Sequence, residues 1–318
     1  MITITRAPPY LTVQDTGRKR SRSSGVPRGG AMDAFALQAL NTIVGNALDS
    51  ATLEWALGGG IVRFQTDCAF ALGGARARAA IAGRSVSPFT TFRARAGDDL
   101  TVEQLTGGRF LYIAFSGGID VPLILGSRST YLPGHFGGYD GRMIAHNSSL
   151  PLGQGPPSTP AEGFACAPEL LPRYESIAVR ITRGTHADLF DESAWHTLTE
   201  TEFTVGTASD RTGYRLRGES VKGGVANLPS DASCQGAIQI PGDGAPIVLM
   251  ADAPTVGGYP KIAVVAEADL PILAQRSPGD VVRFQLVTIE QSQRALKRSA
   301  SDLQSIRSTG AAQRFLLR

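Results

Sequence analysis

Glycine and proline interrupt this chain so often that little of it can form continuous helix. The 37 glycines and 19 prolines make up 56 of 318 residues, about 18% against a usual level of about 12%. A helical bundle is thereby excluded. Between the breaks lie short apolar runs rich in β-branched residues, such as 110–115, 177–181, 247–250 and 281–287, and by length and composition these read as strands. The spacing predicts one clear helix over 34–44, where apolar residues recur at 35, 37, 40, 43 and 44 behind Asp33 as N-cap and ahead of Gly45-Asn46 as a stop. A second helix is expected from 289 to about 306 and a short one over 268–274.

At 318 residues, with 42% hydrophobic and 19% charged, the chain can bury a sizeable core but exceeds what one core usually serves, so two domains are expected. An internal echo supports this. Arg95-Ala96-Gly97-Asp98 is matched 182 positions later by Ser277-Pro278-Gly279-Asp280, in each case a Gly-Asp turn feeding a strand. A weaker echo relates Asp15-Thr16-Gly17-Arg18 to Asp210-Arg211-Thr212-Gly213. Two related β-barrels in tandem would explain both. The proline-dense stretch 150–172 reads as the linker, which gives a first domain over 1–160, a second over 173–290 and a basic tail over 291–318.

Charge excludes one class of function. Lys plus Arg exceed Asp plus Glu by 31 to 28, but residues 290–318 alone hold six cations and two acids, which leaves the rest near neutrality. The interleaved basic and aromatic footprint of a nucleic-acid reader is absent. Three widely spaced cysteines, Cys68, Cys166 and Cys234, fit reduced thiols and neither a disulfide framework nor a Cys-x-x-Cys metal pair. Without a signal-like N-terminus or an apolar run of membrane-spanning length, a cytoplasmic protein free of the membrane is expected.

The usual nucleotide loops are missing, the serine-hydrolase elbow lacks its first glycine at Ala114-Phe115-Ser116-Gly117-Gly118, and His135, His146, His186 and His196 show no paired metal spacing. What remains is a set of polar, glycine-containing segments. Gly126-Ser127-Arg128-Ser129-Thr130 comes after the apolar 121–125, read as a strand, and places three hydroxyls around one guanidinium. That grouping suits a carboxylate or phosphate, or alternatively a turn with Arg128 in a structural ion pair. Arg142 adds a second cation after Gly137-Gly138. In the second half, Asp210 and Arg211 precede Gly213, Gln239 ends a strand with an amide, and Tyr259 and Lys261 come after Gly257-Gly258.

Gln14-Asp15-x-Gly17-Arg18, Gly25-Val26-Pro27 with Gly30-Ala31-Met32-Asp33, Val44-Gly45-Asn46, Gly126-Ser127-Arg128-Ser129-Thr130, Ser209-Asp210-Arg211-x-Gly213, Gly236-Ala237-Ile238-Gln239 and Gly257-Gly258-Tyr259-Pro260 occur in that order. Together they resemble the KipA-like family, also known as the C subunit of 5-oxoprolinase, allophanate hydrolase subunit 2 or the biotin-dependent carboxyltransferase family. The resemblance covers about residues 3 to 290. It implies a mainly β fold of two tandem cyclophilin-like β-barrel domains with few short helices. It also implies chemistry on a small amide or lactam beside a KipI-like partner, the B subunit, joined by a third subunit, with ATP and Mg acting on the complex. The chain alone is then expected to be inactive. Alternatives are a carboxyltransferase component that uses carboxybiotin from another protein, and a regulatory binding protein. In the enzyme reading, Arg128, Asp210 and Arg211 are the catalytic candidates, and Ser127, Ser129, Thr130, Arg142, Gln239, Tyr259 and Lys261 hold the substrate. Tyr131 and Leu132-Pro133-Gly134-His135-Phe136 depart from the family pattern beside this presumed pocket.

Overall fold

The computed structural model describes residues 1–156, 160–224 and 228–316, with side chains through Thr309. Three residues of the proline-dense stretch (157–159) and the last two of the tail lie outside the described residues. The fold is mainly β. The chain divides into two compact units, one of Met1–Arg18, Gly29–Leu171 and Ser301–Arg318, the other of Lys19–Arg28 and Pro172–Ala300.

The first unit is a nine-stranded sheet. Strands β1 (Ile2–Arg6), β2 (Tyr10–Gln14), β3 (Thr52–Ala56) and β4 (Gly60–Phe64) are short, as the punctuation demands. By contrast β5 (Cys68–Ile81) runs for 14 residues and β8 (Asp99–Phe115) for 17, far beyond the 110–115 run visible in the sequence. Their antiparallel pairing shifts register at Gly74/Arg76, Arg76/Ala77 and Arg78/Ala79. Bulges of this kind absorb the irregular residues that made the segment look broken. The hairpin carries the minor strands β6 (Arg84–Ser85) and β7 (Phe92–Ala94) on β5, and β9 (Ser148–Leu150) completes the order β2-β3-β8-β4-β1-β9. Ile2, Leu11, Leu53, Trp55, Phe64, Phe70 and Phe115 are fully buried in one core. Helix α1 (Ala34–Ile43) lies where its periodicity predicts. The Asp33 carboxylate accepts the Ala36 N–H, and Phe35, Leu37, Leu40 and Ile43 are buried.

The second unit is a closed seven-stranded barrel. Its strands are β10 (Ala178–Arg183), β11 (Phe203–Val205), β12 (Gly213–Arg217), β14 (Ala237–Gln239), β15 (Ile247–Leu249), β17 (Lys261–Val265) and β18 (Val281–Leu286), in the order β10-β17-β14-β15-β12-β11-β18. Closure comes from parallel pairing of the first strand with the last, Val179 opposite Phe284, and protects both edges. A two-stranded ribbon of β13 (Asp231–Ala232) and β16 (Val256–Gly257) stands apart from the barrel ladder. Helix α2 (Glu192–Glu200), capped by Asp191, has only Ala194 and Leu198 buried, too thin an apolar stripe to be recognised from periodicity. Helix α3 (Leu270–Ala274) forms as expected. The tail helix α4 (Ile289–Leu316) continues well past 306, through a glycine whose cost in a helix is about 1 kcal/mol.

The duplicated turn is real to the level of individual hydrogen bonds. Arg95 N donates to Asp98 Oδ2 at 2.8 Å, as Ser277 N does to Asp280 Oδ2 at 2.8 Å. The Asp98 and Asp280 N–H groups each return a bond to the carbonyl of the first residue of the turn, while Gly97 N donates to Phe64 O, and Gly279 N to Val205 O. Both glycines sit at positive φ, 93° and 98°, where a side chain would be strained. One expectation fails. The apolar 121–125 is not a strand. Pro122 supplies no donor, Leu125 and Gly126 take positive φ, and Leu123, Ile124 and Leu125 are 57%, 38% and 56% exposed. Among the described residues no helix is long and apolar enough to cross a membrane, and no three His, Cys, Asp or Glu gather as metal ligands.

Candidate functional site

The anticipated residues fall into separate groups, one set in each unit. In the first unit, the loop 126–130 is organised by Asp15, a residue of the Gln14-Asp15-x-Gly17-Arg18 motif with no expected role of its own. The Asp15 carboxylate accepts hydrogen bonds from Ser127 Oγ (2.7 Å), Ser129 Oγ (2.5 Å), Arg128 N (2.6 Å) and Gly17 N (2.7 Å). Ser129 Oγ also accepts the Asp15 N–H, and Thr130 Oγ1 donates to Val13 O. The three hydroxyls expected to cradle an external anion therefore bind groups of the protein itself. The Arg128 guanidinium is held by Asp120 at 2.7 Å and donates through Nε to Val121 O at 2.8 Å, the structural ion pair of the alternative reading. Arg142 lies away on the surface against Tyr139, 3.6 Å from exposed Asp140.

The unusual 131–136 segment also has a packing reason. Tyr131 and Phe136 meet edge to face at 5.4 Å, and the fully buried Arg18 guanidinium stacks over Phe136 at 4.7 Å while donating to Ser129 O at 2.6 Å. A second buried network, invisible in the sequence, joins Glu54 to the Tyr112 hydroxyl (2.7 Å) and the Met32 N–H (2.9 Å). Burial, then the charges of Glu54 and Asp33, push the Tyr112 phenol well above its ordinary range, so it stays a neutral donor.

In the second unit, two of the catalytic candidates are similarly engaged. Arg211 makes a bidentate pair with Asp252, at 2.8 and 2.9 Å, and both residues are buried. Asp210 is exposed and closes its own turn by accepting the Thr212 and Gly213 N–H groups, as Asp15 does for Gly17.

Gln239 and Lys261 behave differently. They are direct partners across β14 and β17, at a register shift that comes after the pairing of Ile238 with Ala263 and leaves Ile262 opposite no residue of β14. A bulge re-aims side chains, and both residues are buried, 5% and 3% exposed. The Lys261 ammonium has no hydrogen-bond partner among the described residues. Its ion-pair neighbour, Asp231 on the ribbon, is half exposed and 3.6 Å away. The ribbon residue Gly257 lies against the Gln239 amide, and Ser233 and its hydroxyl are buried beside it. Tyr259, half exposed, comes two residues before Lys261. His186 accepts the Lys261 backbone N–H at 3.2 Å, which gives that histidine a structural partner. The result is a buried polar cluster of a cation, a primary amide and a hydroxyl. Asp231 and Ser233 were not anticipated. Their only signal was position, in a short polar stretch before the Gly236-Ala237-Ile238-Gln239 motif.

A family model for the carboxyltransferase domain, subdomain A and B, matches residues 24–286. The chain is 37% identical over 297 residues to the C subunit of 5-oxoprolinase from Escherichia coli (strain K12), spanning 93% of this chain and 94% of that protein. It is 32% identical over 308 residues to the corresponding C subunit from Haemophilus influenzae, with 96% and 98% covered. Urea amidolyase of Lachancea kluyveri is 34% identical over 312 residues, but the match spans only 17% of that protein. Crystal structures of the urea amidolyase and urea carboxylase of Kluyveromyces lactis superpose with a TM-score of 0.89 at 30% identity, covering 96% of this chain and 20% and 29% of theirs. With the match running through the loop around Asp15 and the barrel around Lys261 alike, this chain belongs to the carboxyltransferase domain family, subdomains A and B.

Proposed function

We propose that this chain is the C subunit of an ATP-dependent 5-oxoprolinase-type amidohydrolase, which opens a small lactam in concert with a KipI-like B subunit, joined by a third subunit. The observation that supports this reading best is the incompletely paired Lys261 ammonium beside the Gln239 amide. A buried charge is costly unless it is paired and hydrogen-bonded, and a ligand carboxylate would complete the pairing. 5-Oxoproline carries a carboxylate and a ring amide, groups that an ammonium and a primary amide bind. Lys261 then holds the carboxylate, Gln239 the amide, and Tyr259 flanks the entrance. ATP with Mg enters as a co-substrate of the assembly, and no residue of this chain is assigned to it.

The family description and the urea amidolyase relatives favour a second reading, a carboxyltransferase component that receives carboxybiotin from another protein; the same cation would then meet a carboxylate on that carrier. The test is reconstitution. Purified chain and partner subunits are mixed with 5-oxoproline and ATP, and ring-opened amino acid and ADP are followed. Product is expected only with all components present, and Lys261→Met should raise KM about a hundredfold, the loss of one charge-assisted buried contact. Ring opening by this chain alone would overturn the need for partners. Carboxyl transfer from carboxybiotin without ring opening would favour the second reading, and tight partner binding without turnover would favour a regulator.

A further inference from the structure

A cavity of about 370 Å³ opens on the second unit, lined by none of the residues assigned above to the substrate. Its size lies in the range of small-molecule sites, roughly 300–1,000 Å³. Strand β17 supplies Val264 and Val265 to its wall, the chain after β15 supplies Ala251 and Ala253, and Leu270 and Leu296 come from α3 and α4. These side chains are all hydrocarbon. The charged part of the lining is mostly cationic: Arg22 and Arg28 face the same cavity, with the exposed Glu267 as the one carboxylate among the described residues that line it. Arg22 is half-buried and fixed. Its guanidinium donates to the Ser233 carbonyl, a neutral acceptor, and no Asp or Glu among the described residues lies within ion-pair distance of it.

A part-buried guanidinium whose fixed partner is a carbonyl keeps its charge for an anion, and its planar fork suits a carboxylate. A bare anion would leave the hydrocarbon walls in contact with water, whereas an aliphatic chain attached to it would cover them. We propose that this cavity binds a small carboxylate with an aliphatic body, the carboxylate pairing with Arg22 beside Arg28 and the hydrocarbon lying against Val264, Leu270 and Leu296. None of the lining residues belongs to the cluster around Lys261, so either assignment can fail alone.

The cavity carries its own reporter. Cys234 is exposed and lines it, whereas burial pushes the Cys68 and Cys166 thiols up to about 11 and about 12, so an alkylating reagent at neutral pH reacts first with Cys234. The test follows alkylation of Cys234 in the full chain by neutral iodoacetamide, read by intact mass, with hexanoate, hexanamide or inorganic phosphate added. Hexanoate is expected to slow the reaction saturably. Hexanamide, which keeps the chain and lacks the charge, should need about a tenfold higher concentration, the size of one charge-assisted contact, and phosphate should protect weakly. Arg22→Met should bring hexanoate down to the level of hexanamide. Leu296→Glu, at a position 41% exposed and therefore tolerant of charge, puts a carboxylate into the cavity and should abolish protection, which keeps the test decisive if Arg22→Met does not fold. Equal protection by hexanoate and hexanamide in the parent overturns the ion pair, and protection by phosphate as strong as by hexanoate overturns the aliphatic body. Protection by neither organic ligand, or undiminished protection in Leu296→Glu, overturns the site itself.

Discussion

The loop around Arg128 and the buried cluster around Lys261 hold similar groups, hydroxyls next to a long cationic side chain, and dispose of them in opposite ways. In the first, a single carboxylate, Asp15, gathers two hydroxyls and two backbone N–H groups within 2.7 Å, and Arg128 is tied to Asp120 and a backbone carbonyl. In the second, a buried ammonium and a buried hydroxyl are left without hydrogen-bond partners among the described residues. A fully satisfied buried network fixes a conformation, whereas an unsatisfied group keeps a free-energy deficit that a water, an ion or a ligand can remove. Residue type alone does not distinguish the two regions, but the hydrogen bonding of Asp15 and of Lys261 does.

The sharpest way to break this contrast is Asp15→Asn. An amide cannot accept from all four donors, so the variant should lose about 3–5 kcal/mol of stability, read as a fall in Tm of roughly 10 °C. A Tm unchanged from the parent would show that the network is not what holds the loop. Lys261→Met should do the reverse. Because an incompletely paired buried ammonium carries a desolvation cost and its neighbour Asp231 is half exposed and stays hydrated without it, the Tm of the variant should match or exceed that of the parent, whatever happens to KM. A strongly destabilised Lys261→Met would move Lys261 into the scaffold.

Arg128→Lys probes the middle ground. Its ion pair is partly exposed, with side chains 32% and 54% accessible, so a loss of at most about 1 kcal/mol is expected, with turnover per folded complex close to normal. A steep drop in turnover would return Arg128 to the chemistry. The smallest effect concerns Asp191, whose carboxyl is held below its ordinary range by the Ser193 hydroxyl and the Ala194 N–H. A depressed native pKa contributes stability above the unfolded value, and that contribution is lost as pH falls through the native value. Asp191→Ala should therefore lower Tm at neutral pH, and the gap to the parent should close in acid.

Much of the architecture could be read from the sequence, because strand punctuation and helix caps are local. Asp33 and residues 34–44 specify α1 through a cap and an apolar stripe, and the Gly-Asp echo predicts two turns that share their hydrogen bonds. What escaped is non-local. The length of β5 and β8 depends on bulges set by pairing across the hairpin, and α2 shows almost no apolar face. The candidate site was half legible. Gln239, Tyr259 and Lys261 carry recognisable chemistry, but whether Arg128, Asp210 or Arg211 is available depends on Asp120, Asp252 and two local turns. Two of those contacts span 8 and 41 positions of the chain.

The barrel's closing seam has a consequence for how the protein must be made. Strand β10 is the first of the barrel to leave a ribosome and β18 the last, yet they are neighbours in parallel register from Ala178–Arg283 to Ile181–Leu286. Until about a hundred further residues have been synthesised, the paired strands present two unprotected edges, and open edges recruit other chains. Lys261 and Gln239 sit on the next two strands in from that seam, β17 and β14. Premature termination before β18 would therefore leave β10 and β11 as open edges, a sticky barrel with its seam unclosed.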